Sequence, residues 1–459
     1  MTLHQKSALY VSAVTSFSVT FMGSSLNLSV PAIGEEFMVP ASLLGWVVTG
    51  YILTVAAFSV PFGRLSDLVG RKKIIVPGLL FYGVTSLLAV YSPTMLYLIV
   101  IRGIQGISGA MIFSTNMPFL INAFPPNQRG RVLGFSTAAT YAGLSMGPVL
   151  GGVLNHYLGW RSIFWVVFFL VVSVSIVAIK NLPGDQKGFR GEDLKSVDLP
   201  GNGLYVFTLI AGIYGFTLLG SQGIALYMVL AGGITFAAFV WWERKAETPL
   251  IKVSLFTQNR GFAFSNLAAM LNYGATFAVG YLMSIYLQLI MGFNSQAAGL
   301  VMISQPVIMM AISPVAGRLS DRFSPFKLSS AGMGICALGL GFFLFITETT
   351  SLAWIILGLA VTGIGFGFFS SPNTNAVMSS VEAKDHGVAA SVLATMRSIG
   401  HSLNMALVTV VVGIYMGDLP LAKAPPELLI FTIHRIFFIC IFVCILGVFV
   451  SLARKKSGR

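Results

Sequence analysis

Long apolar segments recur along the whole chain, and short polar segments separate them. A helix needs about 20 apolar residues to cross the hydrocarbon core of a bilayer. The segments are continuously apolar rather than alternating, which predicts helices and argues against a membrane barrel. We predict fourteen spans, over residues 8–32, 43–62, 74–91, 95–119, 131–155, 162–180, 201–220, 224–242, 262–290, 297–316, 328–347, 351–373, 387–416 and 430–453.

Composition supports a membrane environment. Hydrophobic residues make up 56% of the 459 residues, charged residues only 9%, and mean hydropathy is +0.84. A soluble domain carries roughly a quarter charged residues, because water must wet its surface. The sequence therefore predicts an all-α polytopic protein of the inner or plasma membrane.

The basic residues predict the orientation of the chain. The net charge is +13, and the Lys and Arg residues cluster in the loops after even-numbered spans. Cytoplasmic loops are enriched in these residues, so we expect both termini in the cytoplasm. On the outer side we count only Arg161 and Lys423, in predicted loops, and Arg435, near the outer end of the last predicted span. The basic residues form no stripe with interleaved aromatics, which argues against a nucleic-acid partner.

Several chemical classes find no support in the sequence. Cys336, Cys440 and Cys444 lie inside apolar runs and form no CxxC pair, so neither a disulfide framework nor a metal site is predicted. An intramembrane enzyme would need a motif such as HExxH, GxSxG or an aspartyl pair in a catalytic context. The spans contain no HExxH and no aspartyl pair, and their one GxSxG string, Gly143–Gly147, lies inside an apolar helix rather than at the strand-to-helix turn that a nucleophilic serine needs. We expect no cofactor and no enzymatic activity.

A five-residue repeat indicates two related halves. The sequence GRLSD occurs at Gly63–Asp67 and at Gly317–Asp321, each time at the end of a span with a proline just upstream. The copies close spans two and ten, so spans 1–6 and 9–14 form two predicted six-helix bundles, with spans seven and eight inserted between them. Repeats of this kind are typical of secondary transporters.

The repeat also predicts domain boundaries. The expected units are a first bundle at 1–180, a cytoplasmic linker at 181–200, the inserted pair with its following loop at 201–260, and a second bundle at 261–459.

The repeated segments carry a pattern of charges suited to gating. A carboxylate at a helix end, followed by a glycine turn and several cations, can hold neighbouring helices together in one state and release them in another. The residues of this predicted gating motif are Gly63, Asp67, Gly70, Arg71, Lys72, Gly317, Asp321 and Arg322.

Arg102 lies about seven residues into the fourth span, followed by Gln105. A charge inside a membrane is costly and is usually functional, so Arg102 must face the protein interior. The alternative is a structural arginine that bonds to carbonyls. Small residues in the fifth span, at spacings of four, allow close helix packing that can seal one side of a cavity. This motif comprises Gly143, Gly147, Pro148, Gly151 and Gly152.

Together these motifs resemble the major facilitator superfamily, and in particular its fourteen-span drug:proton antiporters. The GRLSD segment with its cations resembles the signature loop of the superfamily, the Arg102 segment resembles the buried-arginine motif, and the fifth span resembles the antiporter motif. Smaller similarities are Trp46 and Tyr51 in span two, Trp160-Arg161 before span six, and Arg397 and Gly400 in span thirteen. The resemblance implies efflux of drugs or other amphipathic compounds by alternating access, with protons as the coupling ion.

The chain departs from this pattern in its acidic residues. The antiporter branch usually has an aspartate in span one where this chain has Met22, although Asn27 and Pro31 match. All 15 acidic residues lie in predicted loops or at span ends. We therefore hypothesise that His401, one turn from Arg397, carries the proton, because histidine titrates near neutrality. The alternatives are a neutral, hydrogen-bonding histidine, with the proton carried instead by Asp67, or exchange of substrates without protons.

The charge of the interior also bears on the substrate. A cavity with arginines and no carboxylate favours anionic, zwitterionic or neutral amphiphiles over lipophilic cations. The alternative function is exchange or facilitated passage of an anionic or neutral metabolite. The predicted cavity residues are Met22, Asn27, Trp46, Tyr51, Asn116, Gln305 and Asn373.

Overall fold

The computed structural model describes residues 1–125, 128–182, 198–219, 223–251, 253–382 and 386–454. Fourteen long helical segments follow one another in these residues, and the predicted all-α membrane architecture is confirmed. Thirteen of them are long and apolar enough to cross a membrane by length and composition alone. The exception is α5, which has 30 residues but does not meet this criterion. Their bounds are α1 Leu3–Phe37, α2 Ala41–Val69, α3 Lys72–Val90, α4 Met95–Asn122, α5 Arg129–Leu158, α6 Arg161–Asn181, α7 Leu199–Thr217, α8 Ile224–Glu243, α9 Arg260–Ile290, α10 Ser295–Arg322, α11 Pro325–Phe345, α12 Leu352–Ser379, α13 His386–Met416 and α14 Pro426–Leu452.

Some of these segments contain breaks. A turn at Gly45 interrupts α2, and turns at Phe277–Ala278 and Ile303 interrupt α9 and α10. The last turn of α9, Tyr286–Ile290, is a π-helix, and α11 ends in the 3-10 turn Phe343–Phe345. Such breaks are tolerated in a membrane helix where neighbouring protein satisfies the freed backbone groups.

The helices extend beyond the apolar runs that predict them. Both GRLSD copies are helical rather than loop, because α2 continues to Val69 and α10 to Arg322. Gly70 ends α2 with φ 109°, a backbone conformation that favours glycine. Helical hydrogen bonds remain favourable where the chain enters a polar environment, so hydropathy marks the apolar core of a helix and not its ends.

Six helices from each end of the chain pack in the same pairwise pattern. In the N-half, which we define as α1–α6, α1 packs on α5 and α6, α2 on α4, and α3 on α4 and α6. In the C-half, defined as α9–α14, α9 packs on α13 and α14, α10 on α12, and α11 on α12 and α14. Each pair in one half has its counterpart eight helices later in the other.

The halves meet through two symmetric helix pairs, α2 with α13 and α5 with α10, and also through α1 with α9. Ala41 N donates to Leu419 O at 3.2 Å, and Gln288 Nε2 donates to Leu28 O at 3.0 Å. We call this end of the molecule the closed end, and the opposite end, with both GRLSD copies, the motif end.

The inserted helices lie beside one seam between the halves. Helix α7 packs on both α2 and α13, and α8 packs on α7. The domain boundaries at 180, 200 and 260 stay a prediction, as do the cytoplasmic termini. Most of the predicted linker, residues 183–197, lies outside the described residues.

Candidate transport site

Arg102 is buried inside the N-half, with 1% of its surface exposed. Its Nε donates to Val47 O of α2 at 3.1 Å, and its Nη1 donates to Gln105 Oε1 at 2.5 Å. The guanidinium lies 4.2 Å from the centroid of the Tyr51 ring, and Gln105 Nε2 donates to Ser86 Oγ of α3 at 2.8 Å. The charge is thus held by a carbonyl, an amide and an aromatic face.

The glycines of α5 form a close seam with α1. Ser24 Oγ donates to Gly143 O at 3.2 Å, and Ser25 Oγ donates to Gly147 O at 2.9 Å. A Cβ atom at Gly147 would lie 2.9 Å from Ser24 Cβ, and one at Gly151 would lie 2.6 Å from Ser25 Oγ. The absence of side chains therefore allows the two backbones to approach closely.

The other face of the same α5 motif contacts the C-half. Ser295 Oγ, at the start of α10, donates to Gly152 O at 3.0 Å. A Cβ atom on Gly152 would collide with Ser295 O, and one on Gly299 would collide with Pro148 O. Pro148 and Gly152 thus lie where α5 and α10 close the molecule at its closed end.

The first gating segment is fixed within the N-half. Asp67 Oδ1 pairs with Arg71 Nη2 at 3.1 Å across the turn at Gly70, and Arg71 Nη1 donates to Pro118 O of α4 at 2.7 Å. The Lys72 ammonium donates to two carbonyls at the end of α6, at 2.5 and 3.3 Å. These contacts join the ends of α2, α3, α4 and α6.

The second gating segment repeats the helix-end geometry of the first. Ser66 Oγ donates to Gly63 O at 2.8 Å, and Ser320 Oγ donates to Gly317 O at 2.7 Å. The charged side chains of the second copy are exposed: Asp321 and Arg322. The gating role of both segments stays a prediction.

Arg397 of α13 lies in the C-half and is half-buried. Its Nη2 donates to Thr374 Oγ1 of α12 at 2.7 Å, and its guanidinium lies 5.4 Å from the centroid of the Tyr273 ring of α9. Its Nε is buried and has no hydrogen-bond partner. A donor of this cation therefore remains available to an acceptor.

His401, one turn further along α13, lies among aromatic rings. It stacks on Phe277 with centroids 4.2 Å apart and planes at 28°, and it meets Tyr273 edge-on at 5.1 Å. Phe366 also meets Tyr273 edge-on, with ring centroids 5.1 Å apart. We call Arg397, Thr374, Tyr273, Phe277 and His401 the central cluster.

The N-half reaches this cluster through Tyr141, near the middle of α5. Its hydroxyl lies 3.1 Å from Ser313 Oγ of α10 and is within electrostatic range of Tyr273 and Arg397. The central cluster therefore lies beside the seam between the halves.

The other predicted cavity residues are spread over several places. Trp46 packs on Tyr214 of the inserted helix α7, with centroids 5.2 Å apart. Asn116 Nδ2 donates to Ser16 Oγ of α1 at 3.0 Å. Their assignment to a substrate cavity stays a prediction.

Two further cavity candidates lie on α1. Met22 is 1% exposed, and Asn27 lies beside the break in α9, where a Cβ atom at Gly280 would meet Asn27 Nδ2 at 3.0 Å. Gln305, near the start of α10, is half-buried. Met22 and Asn27 therefore face protein rather than lipid.

Asn373 of α12 is enclosed by a cation that the sequence analysis did not identify as a site residue. Arg454, just beyond α14, is 5% exposed and donates from Nη2 to Asn373 Oδ1 at 2.9 Å and from Nη1 to Ser329 Oγ at 3.1 Å. Asn373 Nδ2 donates to Ser265 O at 3.3 Å. Both ends of the Asn373 amide are thus engaged within the C-half.

A clamp at the closed end was also missed. Arg161 donates from Nη1 and Nη2 to the two oxygens of Glu36, both at 2.7 Å, and from Nε to Val90 O at 3.0 Å. Trp160 Nε1 donates to the same carboxylate at 2.7 Å. The adjacent Trp160 and Arg161 are recognisable in the sequence, but only the fold shows that Glu36 of α1 binds them.

Comparison with known proteins places this geometry in a family. Residues 12–405 match the profile of the Major Facilitator Superfamily. The chain is 31% identical over 398 residues to the riboflavin transporter RibZ of Clostridioides difficile, covering 87% of this chain and 86% of that protein. It is 30% identical to the cephamycin export protein CmcT of Amycolatopsis lactamdurans, over 88% of this chain and 85% of that one. It is 26% identical to the multidrug efflux pump LfrA of Mycolicibacterium smegmatis, over 92% and 84%.

Solved structures show the same fold. A bacterial homologue of the human lysosomal transporter Spinster, in an inward-facing and occupied conformation, superposes with a TM-score of 0.74 at 12% identity, over 100% of this chain and 98% of that one. The POT family transporter PepTSo gives 0.71 at 15% identity, over 99% of both chains. The profile match and these relatives confirm a transporter rather than an enzyme, and the chain belongs to the major facilitator superfamily.

Proposed function

We propose that this protein exports drug-like or other amphipathic small molecules by alternating access, in exchange for protons. The observation that carries the proposal is that the α5 motif contacts α1 with one face and α10 of the C-half with its other face. Relatives named for cephamycin export and multidrug efflux support the direction of transport.

The two seams between the halves suit a rocking motion. Each half packs as a unit through its own helix pairs, whereas α2 with α13 and α5 with α10 join the halves. Separation of the closed end would open the central cluster to that side, and approach of the gating segments would close the motif end. We expect the gating segments to face the cytoplasm, where their cations belong.

The central cluster favours a substrate that accepts hydrogen bonds and carries an aromatic ring. Arg397 offers a buried donor, Tyr273 and Phe277 offer ring faces, and no carboxylate is hydrogen-bonded to Arg397 in the described part of the chain. A permanent cation would meet a like charge there without a counter-ion. We therefore propose anionic, zwitterionic or neutral substrates.

Transport into inside-out vesicles tests this proposal. We expect uptake of carboxyfluorescein, an anion, or of riboflavin, a neutral planar compound, at several times the level in vesicles without the protein. Ethidium, a permanent cation, should stay near that background. Collapse of the pH gradient should lower the uptake. Strong ethidium transport would overturn the charge preference, and uptake independent of the gradient would favour the alternative, an exchanger or facilitator of an anionic or neutral metabolite, which the riboflavin-transporter relative also supports.

His401 is the proposed proton carrier, because the described spans hold no carboxylate near Arg397. We expect His401→Gln to lose acceleration by a pH gradient while it retains exchange of the same compound across vesicles at equal pH. His434→Gln is the matched control, since that ring bonds to Ile346 O at 2.9 Å, away from the cluster. Full gradient-driven transport by His401→Gln would show that His401 is not the carrier.

A further inference from the structure

Two carboxyl groups meet at the motif end of the inserted helices. Asp198 caps α7: its Oδ1 accepts hydrogen bonds from Gly201 N at 2.9 Å and from Trp242 Nε1 at 2.7 Å. Glu243, the last residue of α8, is 3% exposed, and its Oε2 accepts from Ile251 N at 2.9 Å. One oxygen of each carboxyl is thus satisfied by donors of the protein.

The other two oxygens have no donor. Asp198 Oδ2 and Glu243 Oε1 are both buried, and neither has a hydrogen-bond partner. Both lie against the same backbone position, because a Cβ atom at Gly201 would meet Glu243 Oε1 at 2.7 Å and would collide with Asp198 Oδ2. These unpaired oxygens therefore occupy one small space that excludes any side chain at residue 201.

No described cation neutralises the pair. Arg244 and Lys245 are exposed, and the Lys245 ammonium lies 4.0 Å from the Trp241 ring centroid. The acidic Glu247, on the same segment, is exposed as well. On the neighbouring helix α2, Arg64 is the cation closest in sequence to the residues that contact α7. In the described ranges, none of the three cations Arg244, Lys245 and Arg64 forms an ion pair with Asp198 or Glu243.

We propose that Asp198 and Glu243 bind one proton between them, held as an O–H···O hydrogen bond that joins the ends of α7 and α8. Two ionised carboxylates in one buried space repel each other, and each would leave an oxygen without a donor. A single proton supplies that donor and lowers the charge of the pair from −2 to −1. This is the arrangement in which buried acid pairs are stable.

The position of the pair connects it to the moving halves. Tyr205 of α7 donates to Ala56 O of α2 at 3.2 Å, and its ring packs with Phe239 of α8 and Val60 of α2. Ile251, whose N–H binds Glu243, packs against the same group. Loss of the proton would therefore loosen the inserted pair where it contacts α2, the helix that ends in the first gating segment.

Infrared spectroscopy of the full-length protein in lipid vesicles tests the proposal without a substrate. We expect a protonated-carboxyl C=O band near neutral pH that disappears on alkalinisation. Glu243→Gln and Asp198→Asn should each remove this band from the difference spectrum. Glu247→Gln, which changes an exposed acid on the same segment, should retain it.

Thermal unfolding provides a second readout. A folded state that binds one proton more than the unfolded chain loses stability as pH rises, so wild-type Tm should fall towards alkaline pH. In Glu243→Gln the amide N–H can donate to Asp198 without binding a titratable proton, so the decrease of Tm with rising pH should be smaller. The proposal is overturned if the band is absent at neutral pH, if it survives both substitutions, or if Glu243→Gln keeps the wild-type pH dependence of Tm. None of these results depends on whether the protein exports drugs.

Discussion

Gly152→Leu is expected to hold the closed end apart and to lower transport roughly tenfold or more, which corresponds to at least about 1.4 kcal/mol. The reason is steric. A Cβ atom at Gly152 would collide with the backbone oxygen of Ser295, and a backbone atom cannot turn away as a side chain can. Packed interfaces respond to such a clash by moving to another arrangement rather than by deforming slightly.

Double electron–electron resonance (DEER) spectroscopy between two spin labels measures this displacement. Labels at Met38 and Asp418, both exposed at the closed end, report the distance between the N-half and the C-half. We expect this distance to increase by several ångström in Gly152→Leu. Gly134→Leu on the same helix is the control, since a Cβ atom there meets nothing within 4 Å. An unchanged distance together with wild-type transport in Gly152→Leu would refute a sealing role for the α5 motif.

Arg102→Met is expected to keep the fold and to abolish transport. Replacing a buried ion by an apolar side chain of similar volume is often neutral for stability, because the desolvation of the charge is no longer required. Helices α2 and α4 should therefore remain packed, with Tm within a few degrees of wild type. If the charge serves transport, uptake into vesicles should fall roughly tenfold or more.

Comparison with Arg102→Ala separates the effect of losing side-chain volume from the effect of losing the charge. Both changes leave the buried Gln105 oxygen without its donor, but only Ala also leaves a cavity beside Tyr51. Arg102→Ala should therefore lower stability by about 2–5 kcal/mol relative to Arg102→Met, and lower transport as well. Equal losses of Tm in the Met and Ala variants would instead identify Arg102 as a structural arginine. Thermal unfolding in detergent and vesicle uptake of the same compound provide the two measurements.

Much of the architecture was predictable from the chain alone. A bilayer requires closed, hydrogen-bonded helices of a minimum length, so the positions of α1 to α14 follow from apolar runs. The burial of Arg102 follows from the cost of exposing a charge to lipid. The glycine spacing in α5 likewise predicts close helix packing, and α1 is the helix that it meets.

The sequence does not determine which helices and side chains contact one another. In lipid, the surface that faces another helix and the surface that faces acyl chains are both apolar, so periodicity does not show which way Trp46 or Asn373 points. Trp46 packs on α7, and Asn373 binds Arg454, because the tertiary arrangement brings these elements together. Asp198 and Glu243 are 45 residues apart in sequence and meet for the same reason.

The sequence by itself determined the number of helices, the repeated halves and the types of residue placed inside the membrane, since each is imposed locally by the lipid. Only the tertiary structure decided which carbonyls hold Arg102, which rings surround His401 and which acids pair on the inserted helices. These contacts join residues far apart in the chain, and their geometry depends on how the helices are rotated against one another rather than on any local preference.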